Sequence, residues 1–265
     1  MVRDVERIPV HRFTDGTFQL DSESVASECL VHVHINDEHL TSLLASPQHL
    51  DDLVAGHLQT EYDVPNPHDG HNVAVSSEGD DIHLHLDIVH GAGLTSRNTV
   101  VTTSCGGCEQ DMLSDLVSRT PVVSQTDSPV SIERLIDALE RMRSDQPGFG
   151  RTGGMHAAGL LYPTTETLVV REDIGRHNAV DKVIGAHCRS GTTTRPQALL
   201  LSGRCGWDIL SKAATMDIPI VASIGAASSL AAKSARSSNM TLVSFAKGGK
   251  AVVIGPVEGR IQRNH

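Results

Sequence analysis

From Met155 to Ile254 the chain alternates short apolar runs with segments of helical spacing, and this alternation narrows the choice of folds more than any other feature. Thr167–Arg171, Ala198–Ser202, Ile218–Ser223, Thr241–Phe245 and Ala251–Ile254 read as strands. The segments 177–187, 206–216 and 227–237 between them read as helices, and a further helix is expected over 155–160. Such alternation implies a layered α/β domain with a substantially parallel sheet.

The first hundred residues have another texture. After a polar leader, Glu28–Asn36 alternates with period two, turns at Asn36-Asp37 and returns through His39–Leu44, which reads as a hairpin. Ser46-Pro47 reads as the cap and first residue of a helix carrying Leu50, Leu53, Val54, His57 and Leu58 on one face to about Thr60. Val73–Ser76, Ile82–Val89 and Thr99–Thr103 are further strands, the last running into Ser104-Cys105-Gly106-Gly107-Cys108. A helical stripe of Met112, Leu113, Leu116 and Val117 follows, then a helix over Ile132–Met142 capped by Ser131. Residues 146–150 and 152–154, rich in glycine, read as a flexible passage. The expected architecture is a smaller α+β portion over residues 1–100 and an α/β domain over 101–265.

With 265 residues, 39% of them hydrophobic, the chain is long enough for one large core or two smaller ones. No apolar run approaches the roughly 20 residues that cross a bilayer, and the first residues lack the apolar core of a secretory signal. Both point to a cytoplasmic protein with no membrane partner. The net charge of −10 argues against nucleic acid as the main partner. It is unevenly spread: residues 1–100 hold 4 Arg and Lys against 17 Asp and Glu, while residues 101–265 hold 18 against 15. The second portion can therefore welcome an anion that the first repels.

Five cysteines form no disulfide framework, and Cys105 with Cys108 is the one close pair. Zinc would need further ligands, from a lone cysteine or the histidine-rich first portion. A thioredoxin-like dithiol would lack its usual flanks. A nucleophilic, sulfur-carrying thiol is chemically reasonable at a strand-to-helix turn, where free backbone N–H groups stabilise a thiolate. A pair of small residues without a role is the remaining reading.

Three glycine-containing basic segments follow strands. Arg171–Lys182 packs seven ionisable side chains, among them Asp173, Arg176 and His177; Ser202-Gly203-Arg204 follows the next strand; Phe245-Ala246-Lys247-Gly248-Gly249-Lys250 sets two lysines around paired glycines. Ligands collect at the carboxyl ends of strands and phosphates at helix N-termini, so together these segments favour a phosphate-bearing ligand. Neither GxGxxG nor GxxxxGK[ST] occurs. Gly153-Gly154-Met155-His156-Ala157-Ala158 has the outline of a zinc deaminase motif, but Ala158 stands where the proton-shuttling Glu would be, and the CxxC precedes the histidine. No metal-ligand set is assigned.

These residues resemble the FdhD/NarQ family of formate dehydrogenase accessory sulfurtransferases over nearly the whole chain. The resemblance rests on Leu44–Pro47 with Asp51–Leu58, on the CxxC, on Gly153–Ala158, on Arg171–Gly185, on Leu201–Arg204, on Ile218–Ser223 and on Phe245–Lys250. It implies a fold similar to cytidine deaminases, and a protein that takes persulfide sulfur from a cysteine desulfurase and passes it to the molybdenum of bis-molybdopterin guanine dinucleotide, for use by formate dehydrogenase. Cys105 then resembles the persulfide-bearing cysteine and Cys108 its partner. Phe245, Ala246, Lys247, Gly248, Gly249 and Lys250 match the cofactor-binding stretch, and GDP-like ligands are expected to bind. Asp173, Arg176, His177, Ser202, Gly203 and Arg204 are added from charge and position alone. An acidic neighbour such as Glu109 disfavours a thiolate, so Cys108 is expected to be the worse nucleophile of the two. The alternative is a non-catalytic cofactor chaperone whose CxxC ligates metal or docks a partner. A homodimer is compatible with either.

Overall fold

The computed structural model describes residues 4–62, 64, 73–78, 81–88, 94, 100–101, 113–126, 128–163 and 168–262. The polar leader is a hairpin: β1 (Val5–Thr14) pairs along its whole length with β2 (Thr17–Ala26). Asp15 and Gly16 turn it at φ 50° and 81°, the positive angles a two-residue hairpin turn requires. Because the hairpin buries almost nothing, its sequence carries no apolar face for the period-two reading to detect.

β3 (Cys29–Ile35) and β4 (Glu38–Ala45) form the expected second hairpin, turned at Asn36 and Asp37 with φ 50° and 66°. Helix α1 (Leu50–Glu61) follows. It starts three residues later than Ser46-Pro47 implied, behind a left-handed His49, because Ser46 is used elsewhere: its N–H donates to Asp173 at 3.0 Å and its Oγ accepts from the Ile174 N–H at 3.1 Å. β5 (Ala74–Glu78), β6 (Asp81–Leu86) and β7 (Val100–Val101) complete a sheet in the order β5-β6-β3-β4-β7. The division at residue 100 falls within β7. Val31, Val33, Leu43, Ile82 and Leu84 meet Leu53, Val54 and Leu58 of α1 in one core.

The first described helices of the second portion are α2 (Leu113–Arg119), α3 (Ile132–Ser144) and α4 (Pro147–Thr152). Ser131 caps α3 by accepting from the Arg134 N–H at 3.1 Å. The passage expected to be flexible is α4, with Pro147 in its first turn and the Glu172 carboxylate accepting from the Gly148 and Phe149 N–H groups at 2.7 and 2.8 Å.

β8 (His156–Leu161), β9 (Leu168–Asp173), α5 (Arg176–Arg189), β10 (Ala198–Leu201), α6 (Trp207–Thr215), β11 (Ile220–Ser223), α7 (Ser229–Ser237), β12 (Thr241–Lys247) and β13 (Lys250–Ile254) then alternate much as the sequence indicates. The helix expected over 155–160 is an exception. Those residues form β8, hydrogen-bonded to β10 on one side and β9 on the other. Two ladders and burial of Ala157, Ala158 and Leu160 outweigh the helix preference of alanine.

The sheet order is β13-β12-β11-β10-β8-β9. β11 runs parallel to β10 and β12, and the other pairings are antiparallel, so the sheet is mixed rather than substantially parallel. α5, α6 and α7 cover one face through Val180, Ile184, Ile209, Leu210 and Ala235. α3 covers the other through Leu135, Ile136, Leu139 and Met142.

The two portions are joined by α1 and α5, which cross at glycines. A Cβ on Gly56 would lie 1.8 Å from the Asp181 carbonyl oxygen, and one on Gly185 would lie 1.8 Å from that of Asp52. Around this crossing Asp52 binds Arg171 and Arg189 at 2.7 Å each. Asp181 binds Lys212 at 2.8 Å and His57 at 3.2 Å, and Lys212 also binds Glu61 at 2.6 Å. Burial alone would raise the Asp181 carboxyl, but the Lys212 ammonium and the His57 contact outweigh it and hold the group at about 2.

Candidate functional site

The strand directions bring the loops to one sheet edge. Leu201 pairs with Ser223 on one side and Ala158 on the other, and His156 pairs with Asp173. The carboxyl ends of β9, β10, β11 and β12 therefore lie at the same edge as the amino ends of β8 and β13. Three sequence-predicted segments meet there: Asp173–His177, Ser202–Arg204 and Phe245–Lys250.

Backbone contacts lace the edge together. Ser202 Oγ accepts from the Ala157 N–H at 2.8 Å. The Gly225 N–H donates to the Gly203 carbonyl at 3.1 Å, and the Phe245 N–H to the Gly225 carbonyl at 3.0 Å. A Cβ on Gly225 would lie 2.7 Å from the Gly203 oxygen, so glycine is required for this close approach. Between Gly153, Gly154, His156, Ser202, Phe149 and Arg143 lies a cavity of ≈ 270 Å³.

Gly248 and Gly249 form a two-residue turn between β12 and β13 with φ 56° and 71°, which leaves Lys247 and Lys250 exposed on either side. Phe245 has φ 53°, lies at the irregularity between β12 and β13, and is 50% exposed. A left-handed backbone in a bulky residue is a local cost found where a surrounding structure has use for the side chain. Ala246 beside it is buried.

Burial lowers the pKa of His156, and the charges of Arg176, His177 and Arg204 lower it further. Those three side chains thus converge on one point, where Asp173 opposes them. Arg204 is exposed and Arg176 half-buried. The first turn of α5 holds no acidic residue and no side chain caps it, and the buried Asp173 carboxylate already accepts from the Gly175 N–H just before it.

The structure separates the ionisable residues of Arg171–Lys182. Arg176 and His177 stand at the edge, and His177 Nε2 binds the Asp208 carboxylate. Asp173, chosen from the sequence as a ligand-binding residue, is a fully buried internal anchor. It binds Lys182 at 2.6 Å and accepts from the N–H groups of Ser46 and Gly175 at 3.0 and 2.8 Å and from Asn178 at 3.2 Å. Its carboxylate positions the loop without touching the cavity. Arg171, Glu172, Asp181 and Lys182 are likewise turned inward, onto Asp52, the start of α4, Lys212 and Ser46. Sequence reasoning missed Arg143, Phe149 and Gly225; the glycine two residues past the Ile220–Ser223 strand was the available signal.

Cys105 and Cys108 lie outside the described residues. Burial pushes the Cys29 and Cys188 thiols up to about 11 each and Cys205 higher still, so none of these three thiols forms a thiolate near neutral pH. Ala158, in the place of a deaminase glutamate, is buried within β8. No described helix is long and apolar enough to cross a membrane.

The profile of the FdhD/NarQ family matches residues 26–261. Sulfur carrier protein FdhD of Listeria innocua is 33% identical over 257 residues, 96% of this chain and 98% of that protein. The protein of the same name from Sulfolobus acidocaldarius is 31% identical over 245 residues, covering 92% of this chain and 94% of that one. Among solved structures, a putative formate dehydrogenase accessory protein from Desulfotalea psychrophila shares the fold with a TM-score of 0.75 at 21% identity, over 98% of this chain and 100% of the other. Shared length, motifs and architecture agree: the chain belongs to the FdhD/NarQ family.

Proposed function

We propose that this protein is a sulfur carrier in the maturation of formate dehydrogenase, with Cys105 as the carrying thiol. The observation that carries the reading is the gathering of Arg176, Ser202–Arg204 and Phe245–Lys250 at one sheet edge, in a family whose relatives bear the name sulfur carrier protein. The raised thiols of Cys29, Cys188 and Cys205 support assigning the chemistry to the CxxC pair.

In the proposed step, the Cys105 thiolate attacks the terminal sulfur of a persulfide on a cysteine desulfurase. A sulfur–sulfur bond forms on Cys105, and the donor cysteine departs as a thiolate. The substrate to be sulfurated is the molybdenum of bis-molybdopterin guanine dinucleotide. Lys247, Lys250 and Arg204 supply charge for its diphosphate, and the exposed ring of Phe245 supplies a face for stacking. Release as hydrosulfide needs two electrons; attack of Cys108 on the inner sulfur provides them and leaves a Cys105–Cys108 disulfide for a cellular dithiol to reduce. On this reading the protein acts in the cytoplasm, and the layering is of the cytidine-deaminase kind with His-Ala-Ala in place of the catalytic motif.

Incubation with a cysteine desulfurase and cysteine, followed by mass spectrometry, tests the step. One added sulfur on Cys105, absent in Cys105→Ala together with loss of formate dehydrogenase activation, is the expected result. Activation by Cys105→Ala would instead support the chaperone role, in which the CxxC only docks a partner or a metal.

A further inference from the structure

The parallel register of β3 and β6 sets His32 beside His83 and His34 beside His85, and the antiparallel β4 adds His39 opposite His34. Side chains alternate across a strand, so the intervening Val31, Val33, Ile35, Ile82, Leu84 and Leu86 face the core under α1 and the imidazoles share the other face. Their rings are packed together. Centroids stand 4.7 Å apart for His32 and His83, 4.6 Å for His34 and His85, 5.3 Å for His34 and His83, and 5.5 Å for His34 and His39. The carboxylates near this cluster stand at its rim: Asp81, 3.7 Å from His32, Glu78 paired with Asp81 from β5, and the exposed Glu28, Glu38 and Asp87 at the strand ends. The ionisable residues of α1 lie beyond the apolar core, on the far side of the sheet.

His34 Nε2 lies 3.1 Å from His83 Nδ1. One of these nitrogens must bring a hydrogen and the other a lone pair, so the contact requires at least one of the two rings to be neutral. Ser42 Oγ bridges His32 Nδ1 at 2.8 Å and His39 Nε2 at 2.9 Å. A hydroxyl oxygen can accept from both nitrogens, so that bridge tolerates charged rings where the direct contact does not. Burial lowers the pKa of His34, and the neighbouring His85, His39, His83 and His32 lower it further. The cluster is also tied to the rest of the fold through β4: the Leu44 carbonyl accepts from Asn178 at 2.8 Å, and Ser46 binds Asp173 and Ile174.

We propose that this histidine face is a proton-sensitive switch: with its rings neutral it holds β3, β4 and β6 together, and protonation of both His34 and His83 breaks their contact and loosens that sheet and, through the end of β4, the amino end of α5. A base whose charged form the fold disfavours stabilises fully above its unfolded value, about 6.5 for imidazole, and its contribution is lost as the pH falls below that value. That window lies well above the range in which carboxylates protonate. The proposal is independent of the sulfur-carrier reading.

Hydrogen exchange of the full chain at pH 7.5 and pH 5.5, corrected for the intrinsic pH dependence of amide exchange, provides the test. One proton taken up only by the open state is worth about tenfold per pH unit, so protection of β3, β4 and β6 should fall at least about tenfold relative to β10, β11 and β12. The amides of Ile174–Asn178 should follow. In His34→Gln with His83→Gln the side-chain amides still hydrogen-bond but take up no proton, and most of the fall should disappear. Protection indifferent to pH in the parent, or an equal fall in the double variant, would overturn the proposal. Should the double variant fail to fold, magnetic resonance titration of the parent's imidazoles decides: a second proton entering the His34–His83 pair in step with the loss of protection supports the switch, and both rings charged with protection intact reject it.

Discussion

Lys182 Nζ stands 2.6 Å from Asp173 Oδ2, with both side chains withdrawn from solvent, and the same ammonium donates to the Ser46 carbonyl at 2.9 Å. One ion pair therefore holds together the end of β4, the end of β9 and the middle of α5. Lys182→Met strands the Asp173 charge in the interior and should cost about 3–5 kcal/mol. Lys182→Met with Asp173→Asn should recover part of that loss. Urea denaturation of the three variants at pH 7 measures both effects; equal stability of Lys182→Met and the parent would show that the pair contributes nothing.

The crossing of α1 and α5 admits no side chain at its centre. Gly185→Ala places a Cβ against backbone that cannot retreat, and the expected cost is above about 2 kcal/mol. Gly150→Ala, where an added Cβ meets nothing within 4 Å, should be neutral or stabilising by up to about 1 kcal/mol. The contrast is read from the two melting temperatures.

Acid should loosen the same crossing. Asp181 has an ordinary value of 3.8 and is held at about 2 in the fold. A depressed carboxylate stabilises fully above its unfolded value, so its contribution, on the order of 2 kcal/mol, is present above about pH 4 and is lost as the pH falls toward 2. Stability measured against pH should drop across that window, and Asp181→Asn, less stable at pH 7, should show a shallower drop. Parallel curves for the two proteins would assign the acid sensitivity elsewhere.

Nucleotide affinity tests the basic edge. Lys247→Ala with Lys250→Ala, and Arg204→Ala separately, should each weaken GDP binding several-fold and flatten its salt dependence. Phe245→Ala should weaken it without changing the salt dependence, since a stacking face carries no charge. GDP affinity unchanged in all three would move the nucleotide away from these loops.

Much of this fold is legible in the chain because its signals are local. The Asn36-Asp37 turn, the Ser131 cap and the strand–helix alternation after Leu168 depend on neighbours within a few residues. The failures share a cause. Ala157–Leu161 has the composition of a helix, and only its place between two strands makes it β8. The β1–β2 hairpin buries so little that no periodic apolar face marks it.

The candidate site divides in the same way. Sequence by itself determined the three glycine-containing basic segments, their positions after strands and the paired cysteines, because residue type and order are enough to state them. Which charges of Arg171–Lys182 stand at the sheet edge, and which are buried, only the packing of the fold decides. Asp173, Asp181 and Lys182 are as ionisable as Arg176 on paper. The packing of α5 against β9 and α6 gives them buried partners of opposite sign, and a buried charge goes where it is paired.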